Sequence, residues 1–297
     1  MGTGPALTPE RVVQRLEWHV LRRLDGRLQG DYRTLLRGVG MDFRDIRDYE
    51  PGDDVRHIDW NVTARMDTPF VREFSEDREL TAWLLLDRSP SMSFGAAERP
   101  KDLVLCEVAT AIARLLVKGG NLVGAVLYDG AIGTTLRPRS GRNQALLLAR
   151  ELLKPIEPRK AVTDLTTLAE SAAAMIKRRS LVIVISDFIS EPGWDAALRR
   201  LTERHEVVAL RIVDPREFDL PDAGLIVVED TETGEQIVID SSDPVFRENL
   251  RRAGEEREAA LQAMTRRAGV DLHDISTDDD LANALLRVVE SRRRRSA

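Results

Sequence analysis

The sequence predicts an α/β protein with a doubly wound, mostly parallel sheet and helices on both faces. Two short runs, TAWLLLD at 81–87 and SLVIVISD at 180–187, are almost continuously apolar, which is typical of parallel strands covered on both sides. Segments with helical periodicity separate such runs, and this alternation indicates strands joined by crossover helices. The chain has 297 residues, 42% of them hydrophobic, and is long enough to bury the core that this architecture needs.

The first 78 residues do not follow this alternation, so we predict a division of the chain into 1–78 and 79–297. Residues 8–24 are predicted to form an amphipathic helix with Thr8 as its N-cap. Residues 38–78 carry many charges and several separate aromatic side chains. These are too many large anchors for a linker, and they indicate a structured set of turns and short strands.

Turn and cap signals mark the elements that follow the first buried strand. Pro100 suits the first position of a helix, Gly119-Gly120 its end, and Asp129-Gly130 a tight turn between strands. TETG between two apolar runs indicates a hairpin at the sheet edge, and Asp243-Pro244 opens a long charged helix. In chain order we predict a helix over 100–119, strands over 121–130 and 131–138, helices over 141–154 and 163–177, a strand over 180–187, a helix over 193–204, a strand over 205–214, the hairpin over 225–240, a helix over 243–268, a strand over 270–277 and a final helix from 278.

Composition excludes several classes of function. The formal net charge of −6 argues against a broad surface that binds nucleic acid, and RRRR at 292–295 is interpreted as a solvated tail closing a helix. Cys106, the single cysteine, lies in an apolar run and is interpreted as a small buried residue in a reducing compartment. We see neither a signal peptide nor a run of about 18 apolar residues, and expect a cytoplasmic protein without membrane insertion.

Polar side chains follow the predicted buried strands at the point where each strand ends. Asp87 and Asp187 end the two apolar runs, Ser89 and Ser91 follow the first, and Thr163 stands at a predicted helix start. In open α/β sheets, ligands bind at the carboxyl ends of the strands, near the point where strand order reverses. All of these oxygens suit Mg²⁺, with Mn²⁺ or Ca²⁺ as alternatives. Such a site would keep an open position for an outside carboxylate or phosphate.

The DxSxS pattern at 87–91, with Thr163 and Asp187, resembles the metal-ion-dependent adhesion site of von Willebrand factor A domains. The resemblance spans residues 79–290 and implies a von Willebrand factor A-like fold. It also implies that Asp87, Ser89, Ser91 and Thr163 surround the metal, directly or through water, with Asp187 close by as a ligand or beside one. Members of that family often carry glycines before the threonine, where this chain has Lys160-Ala161-Val162, so the alternatives to Thr163 are Thr166 and Thr167.

A second resemblance covers the segment before the sheet. GVGMDFRDIRDYEPGDDVRHIDWNVTARMDTPFVREF, residues 38–74, resembles the signature of a bacterial family catalogued as domain of unknown function fifty-eight. Members are typically encoded beside MoxR-type AAA+ ATPases and are thought to act with them as adaptors or chaperone partners. The resemblance implies a non-enzymatic interaction module whose partner, such an ATPase or its client, offers a Glu or Asp to the metal.

The enzyme alternative is phosphoryl transfer or hydrolysis by Asp87, because haloacid dehalogenases also place an aspartate at the end of a buried strand. That chemistry normally uses a second aspartate two residues later as general acid, and Ser89 takes its place here. The sequence lacks the G-x-S-x-G motif that would indicate a serine hydrolase, and its four histidines lack metal-ligand spacing. A further alternative is a vestigial metal site with binding through residues 38–78.

Overall fold

The computed structural model describes most of the predicted sheet domain and parts of the region before it. The described residues are 8, 11, 14, 46–50, 58, 60–66, 68–72, 80–96, 99–155, 162–218, 222–229 and 235–295. Thr8 Oγ1 accepts a hydrogen bond from the backbone N–H of Arg11 at 3.4 Å, as expected of an N-cap. The rest of the predicted helix over 8–24 and much of the segment over 38–78 lie outside the described residues, and the boundary after residue 78 stays a prediction.

The described elements are numbered in chain order. The strands are β1 (Ile46–Asp48), β2 (Phe70–Arg72), β3 (Thr81–Asp87), β4 (Gly95–Ala96), β5 (Arg99–Pro100), β6 (Leu122–Tyr128), β7 (Ile132–Arg139), β8 (Leu181–Ser186), β9 (Glu206–Val213), β10 (Leu225–Glu229), β11 (Gln236–Asp240) and β12 (Asp271–Ser276). The helices are α1 (Trp60–Met66), α2 (Lys101–Lys118), α3 (Arg142–Leu152), α4 (Leu165–Met175), α5 (Trp194–Thr202), α6 (Pro244–Ala268) and α7 (Leu281–Arg295).

The central sheet has the order β12-β9-β8-β3-β6-β7. Its strands pair in parallel except β7, which runs antiparallel to β6. From β3 the chain first builds the sheet toward β7 and then returns to add β8 on the other side of β3. The order therefore reverses at the carboxyl ends of β3 and β8, where Asp87 and Asp187 lie. The predicted doubly wound, mostly parallel sheet is confirmed.

Two apolar layers cover the faces of this sheet. Leu84 and Leu86 of β3 belong to a core that α2, α3 and α7 share. Trp83 and Leu85 point to the opposite face and pack in a second core with α4, α5 and α6. Because successive side chains of a strand point to opposite faces, a strand covered on both sides must be apolar throughout, as the run TAWLLLD is.

The hairpin of β10 and β11 is present, but its predicted place at the sheet edge is wrong. Within the described residues the two strands pair with each other and form a separate two-stranded sheet. The edge of β9 is already filled, because β12 pairs with it from Asp271–Val208 to Ser276–Val213. The hairpin leaves Leu225 74% and Val238 65% exposed.

Two side-chain interpretations have different outcomes. Cys106 is buried in α2, and this burial raises the pKa of its thiol to about 12, in agreement with an uncharged apolar role. The solvated tail predicted at 292–295 is wrong for Arg292, which is 8% exposed and forms an ion pair with Glu206. The helix α7 continues through Arg295 and places the side chain of Arg292 against the start of β9, which the local charge run could not reveal.

Candidate metal centre

Asp87 ends β3 with its side chain completely buried. Its Oδ1 accepts a hydrogen bond from the backbone N–H of Ser89 at 2.9 Å, and its Oδ2 accepts one from Ser186 Oγ at 2.5 Å. Both donors are neutral, and no cationic side chain in the described part of the chain forms an ion pair with Asp87. Burial and the nearby negative charge of Asp187 raise the pKa of Asp87 to about 6. The described part of the chain therefore supplies no compensating positive charge in contact with this carboxylate.

Ser89 and Ser91 lie in the turn that follows Asp87. A short 3₁₀ helix begins at Pro90, whose fixed φ suits the first helical position. The completely buried side chain of Met92 anchors this turn in the core. The two serine hydroxyl oxygens are buried and lie 3.1 Å apart. The alternate spacing in the sequence thus brings two neutral oxygen ligands together beside the strand end.

Thr163 is completely buried and comes directly before Asp164, the N-cap of α4. The backbone N–H of Asp164 donates to Tyr128 Oη at 2.9 Å, and Tyr128 is the residue opposite Asp87 in the sheet. The carbonyl of Thr163 accepts a hydrogen bond from Ser190 Oγ at 3.1 Å, in the loop that follows Asp187. These bonds tie Thr163 to the loops on both sides of the strand-order reversal.

The alternatives to Thr163 have other roles in the structure. The backbone N–H of Thr166 and the hydroxyl of Thr167 both donate to the carboxylate of Asp164, at 2.9 and 2.8 Å. Thr167 is exposed and Thr166 half-buried, whereas Thr163 is completely buried. These two residues after the cap therefore stabilise the start of α4, and of the three threonines Thr163 alone is completely buried.

Asp187 is buried directly after β8, in a turn with an unusual backbone. Its Oδ1 accepts a hydrogen bond from the backbone N–H of Ile189 at 2.9 Å. The next residue, Phe188, has a φ of 59°, a left-handed conformation that is rare for a bulky side chain. The backbone N–H of Phe188 donates to Ser186 Oγ at 2.8 Å, and its ring packs on Trp194 with centroids 5.3 Å apart. These contacts hold the turn that positions Asp187.

The sequence reasoning did not identify Lys101, the first residue of α2. Its side chain is completely buried, and its Nζ donates to Asp187 Oδ2 at 2.7 Å and to Glu217 Oε1. Burial alone would lower the pKa of this ammonium group, but the two carboxylates raise it above its ordinary value. A lysine at the positive end of a helix dipole is unfavourable, and this mismatch is the signal that could have indicated a buried acidic partner.

Asp214 was also missed, although it ends the run HEVVALRIVD just as Asp87 ends its own strand. It is completely buried and accepts hydrogen bonds from the backbone N–H of Arg216 at 2.9 Å and from Thr277 Oγ1 at 2.8 Å. It caps the 3₁₀ turn Pro215–Glu217 and so fixes the residue that contacts Lys101. Asp214 therefore supports the site from outside it.

The charges and oxygen ligands of this cluster fit a divalent cation. Asp87, Asp187 and Glu217 supply three carboxylates against the single ammonium of Lys101. If all are ionised, two negative charges remain, which favours the binding of a divalent cation among these groups. Within the described residues, we find no group of three or more His, Cys, Asp or Glu side chains arranged to bind a metal ion. A metal here would therefore depend on hydroxyl oxygens and on ligands from outside the chain.

Comparisons with known proteins complete the description. A family model described as “Protein of unknown function DUF58” matches residues 45–260. The uncharacterised protein Rv1480 of Mycobacterium tuberculosis is 38% identical over 284 residues, which cover 95% of this chain and 89% of that protein. The uncharacterised protein MAV169 of Mycobacterium avium is 32% identical over 164 residues, which cover 54% of this chain and 95% of that protein.

Solved structures are similar at a lower level. The conserved hypothetical protein BatB from Bacteroides thetaiotaomicron has a TM-score of 0.47 and 18% identity over 72% of this chain and 99% of its own. The SpRpn10 VWA domain has a TM-score of 0.40 and 12% identity over 70% of this chain and 95% of its own. As a separate finding, none of the described helices has the length and apolar character to cross a membrane.

Proposed function

This chain belongs to the DUF58 family, and we propose that its von Willebrand factor A-like sheet is a non-enzymatic, metal-dependent module for protein–protein interaction. Asp87, Ser89, Ser91 and Thr163 would hold Mg²⁺, or alternatively Mn²⁺ or Ca²⁺, with Asp187 close by. The observation that carries the proposal is the buried carboxylate of Asp87, which has two neutral donors and no cationic partner among the described side chains. A bound divalent cation supplies the missing positive charge.

The proposed ligand from the partner is a Glu or Asp side chain. Three of the four oxygen ligands that the chain offers at this position are neutral hydroxyls, so a bound divalent cation would keep positive charge toward the outside. The site lies where the strand order reverses, at the carboxyl ends of β3 and β8, which is the usual place for ligands in such sheets. Partner binding would therefore be linked to metal binding.

The partner that we propose is a MoxR-type AAA+ ATPase or a client of one, in the cytoplasm, with this chain as an adaptor or co-chaperone. The support is the DUF58 family match, which begins at residue 45 and includes most of the signature segment quoted above. The partner chemistry itself, a carboxylate, follows from the site and does not depend on which protein offers it.

The experiment is capture of a purified MoxR-type ATPase in Mg²⁺ and in EDTA, by the wild type and by Asp87→Asn. We expect capture by the wild type in Mg²⁺ only, and none by the variant. Asp243→Asn is the matched control, because Asp243 is an exposed N-cap of α6 outside the site. If capture survives both EDTA and Asp87→Asn in folded protein, the metal bridge is wrong and binding through residues 38–78 becomes the explanation.

The same proteins test the enzyme alternative. An enzyme that uses Asp87 as its nucleophile would turn over a generic phosphate ester in Mg²⁺, and Asp87→Asn would abolish the turnover. We expect no turnover by either protein. Turnover that disappears in the variant would contradict a purely interacting role.

A further inference from the structure

Lys101 separates the two aspartates of the site into different electrostatic environments. Asp187 has a direct contact with a cation, because Lys101 Nζ donates to its Oδ2 at 2.7 Å. Its other oxygen accepts a backbone N–H from Ile189. Among the described residues, Asp87 accepts hydrogen bonds only from the neutral donors of Ser89 and Ser186. Asp187 therefore has a cationic partner, which it shares with Glu217, whereas Asp87 has none among the described side chains.

The segment before α2 holds Lys101 firmly in this position. Its backbone N–H donates to the carbonyl of Phe94 at 3.0 Å, and its Nζ lies 5.7 Å from the centroid of the Phe94 ring. Gly95 has a φ of 132°, and a Cβ there would lie 3.0 Å from Pro100 Cα and 3.1 Å from Asp214 Oδ2. The backbone thus approaches so closely that a side chain at this position would disturb the contact.

We propose that Lys101 is a positioning residue that keeps Asp187 from coordinating the metal, so that Asp87 is the only carboxylate ligand that the described residues supply. The inference rests on the proposed function and deepens it. A metal ion could recruit Asp187 only by breaking a charge-assisted hydrogen bond between two buried groups, and this would leave the ammonium of Lys101 with one partner fewer. The further carboxylate ligand would then come from the partner protein.

The test removes Lys101 without changing the net charge of the cluster. Lys101→Met combined with Glu217→Gln loses one positive and one negative charge and releases Asp187. We expect this double variant to bind Mn²⁺ about tenfold more tightly than the wild type, because a second carboxylate becomes available. The bound Mn²⁺ should also retain one water fewer, counted by electron spin-echo modulation in D₂O. Glu217→Gln alone is the control, since Asp187 keeps its contact with Lys101 and the water count should not change.

A second variant tests the same inference if the double variant does not fold. Asp187→Asn keeps the size of the side chain, and we expect bound Mn²⁺ to retain the wild-type number of waters. A gain of one water would show that Asp187 is a ligand, and would overturn the inference. So would a double variant that binds Mn²⁺ no more tightly than the wild type with an unchanged water count.

The outcomes separate the inference from the proposed function. If wild-type protein binds Mn²⁺ and the variants fail as described, the role of Lys101 is wrong and the metal site stands. If neither the wild type nor any variant binds Mn²⁺ at millimolar concentration, the proposed metal site fails and the inference fails with it. Binding by the double variant alone would support the role of Lys101 and contradict a metal site in the native protein.

Discussion

Asp87 should destabilise the metal-free protein as its side chain ionises. Complete burial, together with the charge of Asp187, raises the pKa of Asp87 from 3.8 to about 6. A shift of about two units corresponds to about 3 kcal/mol between the two protonation states. The pKa of Asp87 is higher in the folded protein than in the unfolded chain. Protonated Asp87 therefore contributes stability to the fold that is fully present below about pH 4 and is lost as the pH rises through about 6.

Asp87→Asn removes this titration and can keep both hydrogen bonds. The amide oxygen can accept from the backbone N–H of Ser89, and the amide nitrogen can donate to Ser186 Oγ. The assay is urea unfolding of wild type and variant in EDTA between pH 5 and 7.5. Over this range the difference in free energy of unfolding should move in favour of the variant by about half of the full 3 kcal/mol. Groups that titrate alike in both proteins cancel in this difference.

A difference that does not change with pH would refute the reasoning, because it would mean that the folded protein stabilises the ionised carboxylate without a metal. A second measurement tests whether a bound metal ion can stabilise the ionised carboxylate of Asp87 at a pH where no proton does so. At pH 7.5, saturating Mg²⁺ should raise the free energy of unfolding of the wild type, since a ligand that binds only the folded state stabilises it. Asp87→Asn should gain much less.

Three further substitutions test individual contacts, one at the site and two elsewhere in the fold. Lys101→Met alone should lower the free energy of unfolding by about 3–5 kcal/mol, because it leaves buried carboxylates without their cation. Urea unfolding measures this change, and a loss under about 1 kcal/mol would contradict a buried ion pair. Gly254→Ala should destabilise the protein by about 1–2 kcal/mol, because the Cβ of the new alanine would lie 2.9 Å from Phe218 Cδ1 and this clash outweighs the better helix propensity of alanine. A raised thermal midpoint would contradict this expectation. Asp243→Ala should cost about 1 kcal/mol through loss of the cap that accepts the N–H of Val245 at 2.8 Å, and an unchanged midpoint would show that the cap contributes nothing.

Much of the sheet could be predicted because its signals are local. A strand buried on both faces must be apolar throughout, so the runs that end at Asp87 and Asp187 identified β3 and β8. The alternation of strands with helices then placed both carboxylates at the same end of one sheet. Those two steps need only the sequence of each segment and the general rule for parallel connections, and the structure agrees with both.

The remainder depends on contacts between distant segments. The hairpin of β10 and β11 could be recognised, but its place could not, because β12 takes the edge of β9 and lies more than thirty positions further along the chain. The partners of Lys101 could not be identified from the sequence, since they come from the loop after β8 and from the turn after β9. Arg292 was misread for the same reason: its partner Glu206 is distant in sequence.

At the proposed metal site, metal binding would be linked to folding. The charged groups of the site lie on different elements: Asp87 at the end of β3, Lys101 at the start of α2, Asp187 after β8 and Glu217 in the turn after β9. The assembled sheet is therefore needed to bring them together. An unfolded chain offers these groups separately and has little reason to bind a divalent cation. If the protein binds the proposed metal, the folded state should gain stability by an amount that grows with metal concentration. The metal site can thus be tested on the isolated protein, before any partner is identified.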